Sequence, residues 1–380
     1  MAIGIENTRF DLAKVTWIVR AQYIENSVPP LFRQLFQSGE ALGARRWLAS
    51  LQRECEYMAL LHSSHVSGNC SSERLVHPTL CSTTYALELS SKDYSSFLPE
   101  NFTGAAMSPM GRRGVLLLAQ QMMASFYMAV SGPVIQGPSN IIVNEWRGHT
   151  GRTVRMFEAP VRMVIRNCPA RNAHSASGEQ SFPVLSATTT LWLPGTPPKH
   201  IFEYLCNGYC RGEWDTFCYL GAVHELSKVV TSPHLRGNAV SILQPIVRDG
   251  TGNSNMLLLQ HASTDMSCSL VVYSIVARDV MCEDLDGSNS SIPLLPSGFA
   301  ILPDGHGGNK AHPAAASSSS APADQNSNAG SLLTVAFQTL LQSSSYNNDV
   351  AVSIDDAGNQ ICRVIMNILA AVGADIAIPA

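Results

Sequence analysis

The cysteines of this chain are the first residues to consider for chemistry, because thiolates bind zinc and act as nucleophiles. Cys206, Cys210 and Cys218 are separated by three and seven intervening residues. No cysteine or histidine pair follows them at the distance that zinc fingers use, so the spacing favours buried thiols over a metal site. We predict neither a metal ion nor a cofactor.

Acid and base groups are few and scattered. His224 and Glu225 are neighbours in a predicted strand, so their side chains point to opposite faces and cannot act together. Asp279, Glu283 and Asp284 form the other acidic group. The sequence has no nucleophile elbow, P-loop or dinucleotide fingerprint. We therefore predict no catalytic residue and no enzymatic activity, and keep an enzyme related in fold to cyclases and hydratases as a remote third hypothesis.

Composition narrows the function classes further. The chain has 380 residues, 14% of them charged, and a formal net charge of −4. It offers no broad cationic surface for nucleic-acid phosphates. No apolar run reaches the length of about 20 residues that a membrane-spanning helix needs. Ten cysteines without an amino-terminal signal segment favour a reducing compartment, so we expect a soluble intracellular protein.

The elements at the start of the chain are a strand and a long helix. Residues 15–23 alternate apolar and polar side chains, which predicts a half-buried strand. Ser27 is the predicted N-cap of one continuous helix that carries an apolar face from Phe32 to Met58. From residue 63 to residue 107 the periodicity is lost among Ser, Asn, Gly and Pro, so we predict a linker there.

The sequence after this linker predicts a second domain, residues 108–380. Ser108 begins a helix, and strands follow in succession with turn residues between them, which favours an antiparallel sheet and an α+β fold. The tract 306–330 has too little apolar surface to become ordered, and Asp355 or Asp356 is expected to cap the last helix. The other predicted elements are strands at 186–193, 222–230, 237–243, 255–261, 269–276 and 331–342, strand features within 146–166, and a helix at 198–207.

A sheet closed by an amphipathic helix can enclose an apolar cavity, and such cavities bind hydrophobic molecules. Each candidate lining residue is also suited to an ordinary solid core. The nine candidates are Trp192, Val240, Ile242, Leu257, Leu259, Val272, Phe337, Ile361 and Ile365.

Several runs resemble one plant family, the class IV homeodomain-leucine zipper transcription factors. Residues 14–18 and 42–56 look like the last strand and final helix of that family's START domain. The runs 187–194, 213–215, 236–241 and 269–273, with LLPSGFAILPDG and GSLLTVAFQTL, resemble the START-adjacent domain that follows it. These runs occur in the family's order over most of the chain.

The resemblance implies residues 1–62 as the end of a START domain, a linker at 63–107, and a START-adjacent domain at 108–380. It implies the helix-grip fold, in which a curved sheet wraps a long helix, and residence in the nucleus. The family's homeodomain and zipper are not in this sequence, so DNA contact does not carry over. We expect a regulatory module that senses a lipid or sterol and has protein partners; the alternative is a protein-interaction module with a solid core and no ligand.

Overall fold

The computed structural model describes residues 2–7, 13–66, 107, 109–131, 142–146, 161–169, 181–215, 223–232, 234–245, 255–278, 281, 294–306, 329–341 and 347–376. The architecture is α+β, with an antiparallel sheet and a C-terminal helix, as the sequence predicts. The acidic group Asp279, Glu283 and Asp284 lies outside the described residues, as does Cys218.

A small hairpin opens the chain. Strands β1 (Ala2–Asn7) and β2 (Ala13–Ile18) pair antiparallel. The predicted strand 15–23 therefore ends five residues early, and its partner strand was not predicted. Tyr23 lies beyond the strand, where its ring contacts the edge of Phe36 at a centroid distance of 5.2 Å.

The single long helix that we predicted after the hairpin is two helices, α1 (Pro30–Gln37) and α2 (Ala44–Val66). Gly39 separates them with a φ of +79°, a left-handed conformation that ends helices and that glycine adopts without a steric penalty. Ser27 is not the N-cap, since it lies in a short 3-10 helix (Glu25–Ser27) and its hydroxyl donates to the Ile24 carbonyl at 2.6 Å. The prediction of a proline in the first turn is confirmed, because Pro30 is the first residue of α1.

The main sheet has nine strands among the described residues, all paired antiparallel. Its order is β3-β4-β5-β11-β10-β9-β8-β7-β6, so a three-strand meander and a six-strand meander join where β11 pairs with β5. The strands are β3 (Ile142–Trp146), β4 (Val161–Pro169), β5 (Ser181–Leu193), β6 (Val223–Val230), β7 (Ala239–Pro245), β8 (Met256–Thr264), β9 (Ser269–Ala277), β10 (Ser297–Pro303) and β11 (Ser331–Leu340).

Helices cover both faces of this sheet. Helix α3 (Pro109–Ser131) packs on one face, which we call the α3 face. On the other face, the α6 face, lie α4 (Pro198–Cys206), α5 (Arg211–Trp214) and the last helix, α6 (Asn347–Val372). The sheet is therefore the middle layer between two apolar clusters, and strands such as β7 and β8 are buried on both sides.

Several elements differ from the sequence prediction. Strand β10 lies in the Pro/Gly-rich run LLPSGFAILPDG, which was not among the predicted strands; its prolines fall outside the paired stretch or at its end. Helix α6 begins at Asn347, so Asp355 and Asp356 lie inside it and neither caps it. Helix α2 continues to Val66, past the predicted start of the linker at 63. Residues 67–106 of that linker lie outside the described part, as does Ser108, the predicted start of the next helix. The same is true of 307–328 in the predicted disordered tract.

Asp304 fixes the point where β10 ends. Its amide donates to the Gly330 carbonyl at 3.1 Å, just before β11 begins. Its carboxylate accepts from the Trp192 indole at 2.9 Å and lies 3.0 Å from His306 Nδ1. The His306 and Trp192 rings stack at 5.3 Å. This cluster holds the two sides of the 307–328 segment together.

The first helices contact the main sheet's layers directly. Arg53 on α2 forms an ion pair with Asp265 in the β8–β9 turn. Tyr57 donates to the Leu116 carbonyl of α3 at 2.6 Å and stacks on His261 of β8 at 5.5 Å. Burial and the neighbouring Arg53 charge lower the pKa of His261 to about 4, so this imidazole is neutral near pH 7.

Helix α1 makes a second contact, at the far end of β10. Gly305, with a φ of +85°, lies so close to the α1 backbone that an added Cβ would stand 2.7 Å from the Gln34 carbonyl oxygen. Only glycine fits both this conformation and this approach. The division into domains at 63–107 remains a prediction.

Candidate functional site

The site begins with a buried ion pair on α5. Arg211 opens this one-turn helix and Asp215 follows its end, four residues on, so the two side chains lie on the same side of the turn. Arg211 Nε donates to Asp215 Oδ2 at 2.8 Å. Their side chains are 2% and 0% exposed, so both charges are inside the protein.

The sheet supplies the remaining contacts of the guanidinium. Gln260 and Tyr273 lie opposite each other on β8 and β9. Arg211 Nη1 donates to Gln260 Oε1 at 2.6 Å. The guanidinium carbon lies 4.2 Å from the centroid of the Tyr273 ring and 5.0 Å from that of Trp214. These contacts join α5 to the centre of the sheet through a cation that aromatic faces stabilise.

Three polar atoms of this cluster have no hydrogen-bond partner among the described residues. They are Arg211 Nη2, Asp215 Oδ1 and Trp214 Nε1. A buried donor or acceptor without a partner costs about 1–3 kcal/mol, and more when it is charged. The ion pair is therefore buried with part of its hydrogen-bonding capacity unused.

The surroundings of the ion pair are apolar. Trp214 contacts Tyr273 and Phe299 edge to face, at centroid distances of 5.8 and 5.2 Å. The same cluster continues between the sheet and α6 through the buried residues Leu191, Leu333, Val335, Ile361, Val364, Ile365 and Ile368. The arrangement is an apolar core with one polar, charge-paired end.

The nine predicted lining residues do not face one interior. Five belong to the α3 face: Val240, Ile242, Leu257, Leu259 and Val272. Three belong to the α6 face: Phe337, Ile361 and Ile365.

The strand register explains the split. Val272 pairs with Gly298 and Gly298 with Ala336, so Val272 and Ala336 share a face and Phe337 lies on the other. Trp192 falls on the α3 face by alternation, at the end of the sheet, where it is bound to Asp304. Any ligand site under α6 therefore involves only the second group of predicted residues.

Arg211, Asp215, Gln260 and Tyr273 were not among the predicted site residues. The run Glu213-Trp214-Asp215 drew attention to this turn, yet Arg211 was not connected with it. The signal that could have found the pair is the presence of opposite charges four residues apart, the spacing that places two side chains on the same side of a helical turn. Gln260 and Tyr273 carry no such signal, because the strand pairing alone brings them together.

Among the described residues, the groups considered for catalysis do not assemble. Glu225 accepts hydrogen bonds from Ser241 at 3.0 Å and Lys228 at 3.4 Å, while His224 is exposed. Burial raises the pKa of the Cys206 thiol to about 12 and raises that of Cys210, which keeps both protonated and poorly reactive at neutral pH. Within the described ranges, no group of three or more His, Cys, Asp or Glu side chains could hold a metal ion.

Among the helices that the structure describes, none combines the length and the apolar character needed to cross a bilayer.

Comparison with known proteins identifies the family. The family of PDF2-like C-terminal domains matches residues 108–374. The homeobox-leucine zipper protein ROC6 of Oryza sativa subsp. japonica is 38% identical over 97% of this chain and 39% of its own length. ROC4 of the same organism is 34% identical over 98% of the chain and 38% of its length.

The homeobox-leucine zipper protein ANTHOCYANINLESS 2 of Arabidopsis thaliana is 32% identical over 94% of the chain and 37% of its own length. The chain thus spans about two fifths of the length of these relatives. With its fold, the order of its motifs and these matches in agreement, the chain belongs to the class IV homeodomain-leucine zipper family, through a PDF2-like C-terminal domain.

Proposed function

We propose that this chain is a ligand-sensing regulatory module of a nuclear homeodomain-leucine zipper transcription factor. It binds a lipid or sterol between the main sheet and α6, and it makes no contact with DNA itself. The observation that carries the proposal is the Arg211–Asp215 ion pair, which lies in an apolar interior and has polar atoms without a hydrogen-bond partner among the described residues. We expect binding rather than catalysis because, in the part of the chain that the structure describes, the candidate acid and base groups do not converge on one site.

The order of the elements supports a helix-grip, START-like arrangement. A three-strand meander, two short helices and a six-strand meander are followed by one long helix on the sheet. In this arrangement the interior between sheet and final helix is the place for a ligand. Each Å² of apolar ligand surface buried there contributes about 25 cal/mol, which suffices for useful affinity.

Ligand binding would regulate the module by stabilising its folded state. A molecule that binds only the folded state stabilises it in proportion to its occupancy. Helix α6 and the turn 211–215 lie over the proposed ligand, so a filled interior favours one placement of these elements and of the surface that they present to protein partners.

Native mass spectrometry of the purified chain tests the proposal. We expect a one-to-one complex with a co-purified lipid, and a thermal shift when a lipid panel is added to the stripped protein. Ile365→Phe fills the interior under α6 and should reduce the bound fraction. Ile242→Phe is the matched control, because both isoleucines are 0% exposed and lie on opposite faces. A protein that stays without ligand and shows no shift would contradict ligand sensing.

A second candidate function is protein interaction with a solid core. The observation that favours it is an exposed apolar surface at the start of the chain. Trp17 and Trp47 stack at 5.7 Å, and Ile18, Ile24 and Leu48 are 62%, 75% and 48% exposed. Such surfaces commonly mark protein contacts. The same mass-spectrometry experiment separates the two functions, since only the first requires a bound small molecule.

A further inference from the structure

We propose that two copies of this chain associate through the outer face of α3, the side that points away from the sheet. The residues of this outer face are Met110, Gly114, Leu117, Gln121, Ala124 and Met128. Such association needs no ligand, so it is independent of the function proposed above.

The outer face of α3 is apolar and accessible. Helix α3 packs on the sheet through its other side, where Met122 and Phe126 are buried. On the outer face, by contrast, Met110, Leu117 and Met128 are 68%, 38% and 57% exposed. Methionine and leucine side chains exposed in one row along a helix are typical of a surface that another protein covers.

The spacing of the outer face fits a second helix. Its six residues follow one another in alternating steps of four and three, the spacing that forms a seam between two packed helices. From Met110 to Met128 this seam runs for about five turns, or about 27 Å. The small residues Gly114 and Ala124 lie within it, so a facing helix can approach closely.

The outer face is self-complementary when two copies of α3 pack antiparallel. With a twofold axis through Ala119, Met110 of one copy faces Met128 of the other, and Gly114 faces Ala124. The helices can therefore come close at the small residues, while the flexible methionines close both ends of the seam. A twofold dimer requires such a face, because each copy presents the same surface to the other.

Charge also favours a second copy. From Gly114 to Ser131 the helix has no charged side chain, so two copies meet here without like-charge repulsion. Arg112 and Arg113 precede this stretch, and in the antiparallel pair the arginines of the two copies lie about 20 Å apart, beyond the screening length of about 8 Å. Near the axis, the amide of Gln121 both donates and accepts, so the amides of two copies can bond each other.

The size of the outer face determines how strong the association is. A packed pair of helices of this length buries on the order of 1,000 Å² in total, which is the lower limit for a specific interface. We therefore expect a reversible dimer with a micromolar dissociation constant rather than a permanent one.

Sedimentation velocity of the full chain tests the association. We expect a shift from the 41.0 kDa monomer to twice that mass between about 1 and 100 μM. Met128→Arg should raise the dissociation constant at least about tenfold, because the substitution acts twice in a symmetric dimer and removes a buried methionine each time. Met266→Arg is the matched control, since Met266 is 69% exposed in the β8–β9 turn, and it should leave the constant unchanged.

Two results of this experiment would overturn association through α3. One is a chain that stays monomeric over the whole range, even if hydrogen exchange shows that another segment of the same chain protects the outer face. The other is a dimer that Met128→Arg leaves intact or that Met266→Arg weakens equally. Binding of an unrelated protein to the outer face of a monomeric chain would not support the proposal either.

A pair of opposite charges tests the antiparallel orientation. Met110→Glu and Met128→Arg should each weaken the dimer alone. The double variant places opposite charges across both ends of the seam and should bring the dissociation constant back to within about tenfold of the original. Glu in the first turn and Arg near the last both suit the helix dipole, so the double variant should fold. A double variant that associates more weakly than both single variants would overturn the antiparallel pair, because a parallel pair brings like charges together.

Discussion

The two faces of the main sheet bury polar groups in different ways. On the α3 face, His261 lies against Tyr57 and is kept neutral, its pKa lowered to about 4 by burial and by Arg53. On the α6 face, Arg211 and Asp215 keep their charges and balance each other. A neutral group needs no counter-ion, but a charge pair needs both members. We therefore expect the α3 face to depend on pH and the α6 face to depend on the integrity of the pair.

Breaking the Arg211–Asp215 ion pair should lower the free energy of unfolding more than any other change. Asp215→Ala leaves the Arg211 cation buried without its counter-ion, which should lower the free energy of unfolding by about 3–5 kcal/mol. The double variant Arg211→Leu/Asp215→Leu removes both charges and should recover most of that loss. Urea unfolding monitored by Trp fluorescence measures both. Equal losses in the single and double variants would mean that packing, and not charge pairing, stabilises the α6 face.

The pH dependence of the free energy of unfolding should come largely from the α3 face. Below pH 6.5 the imidazole of His261 binds a proton in the unfolded chain but not in the folded one, so the folded state loses stability as the pH falls. With a folded pKa of about 4, the loss develops between pH 6.5 and 4 and reaches about 3 kcal/mol. His261→Phe keeps a ring against Tyr57 and should abolish this part of the pH dependence.

His224→Phe is the control for this measurement, because His224 is exposed on the edge strand β6. Its unfolding free energy between pH 7 and 4 should follow that of the unmodified chain. A pH profile that His261→Phe leaves unaltered would contradict the assignment of a neutral buried imidazole.

The contact between α2 and the β8–β9 turn should contribute less to the free energy of unfolding. Arg53→Met removes the ion pair with Asp265 but leaves the bonds that the Asp265 carboxylate accepts inside the turn from Ser267 and Cys268. Because Arg53 is partly exposed, we expect a loss of about 1–2 kcal/mol that shrinks in high salt. Arg45→Met, on an exposed position of the same helix, should have no measurable effect on thermal unfolding.

The smallest expected loss of stability comes from removing a single hydrogen bond. Tyr57→Phe retains the ring against His261 and loses only the bond from the hydroxyl to the Leu116 carbonyl. We expect a loss of about 1 kcal/mol and faster proteolytic cutting within α2. If α2 is cut at the same rate in both proteins, this bond does not hold the helix on α3.

Sequence periodicity predicted most of the sheet, because strands such as β8 and β9 are bounded by turn residues and rich in β-branched or apolar side chains. Periodicity could not show which residues of different strands lie on the same face of the sheet. Leu257 and Leu259 share a face by alternation alone, but whether Phe337 joins them depends on the register of β11, which only the fold determines.

Other features depend on single residues or on distant partners. The break between α1 and α2 rests on the conformation of Gly39, which helical spacing does not reveal. The site was missed because Gln260 and Tyr273 are far from Arg211 in sequence and meet it only through the sheet.

The hydrogen bond between the Asp304 amide and the Gly330 carbonyl has a consequence for how this protein can vary. This bond joins the end of β10 to the residue before β11, so the alignment of the two strands is set by residues on either side of 307–328. We expect variants that are longer or shorter between 307 and 328 to keep this strand register.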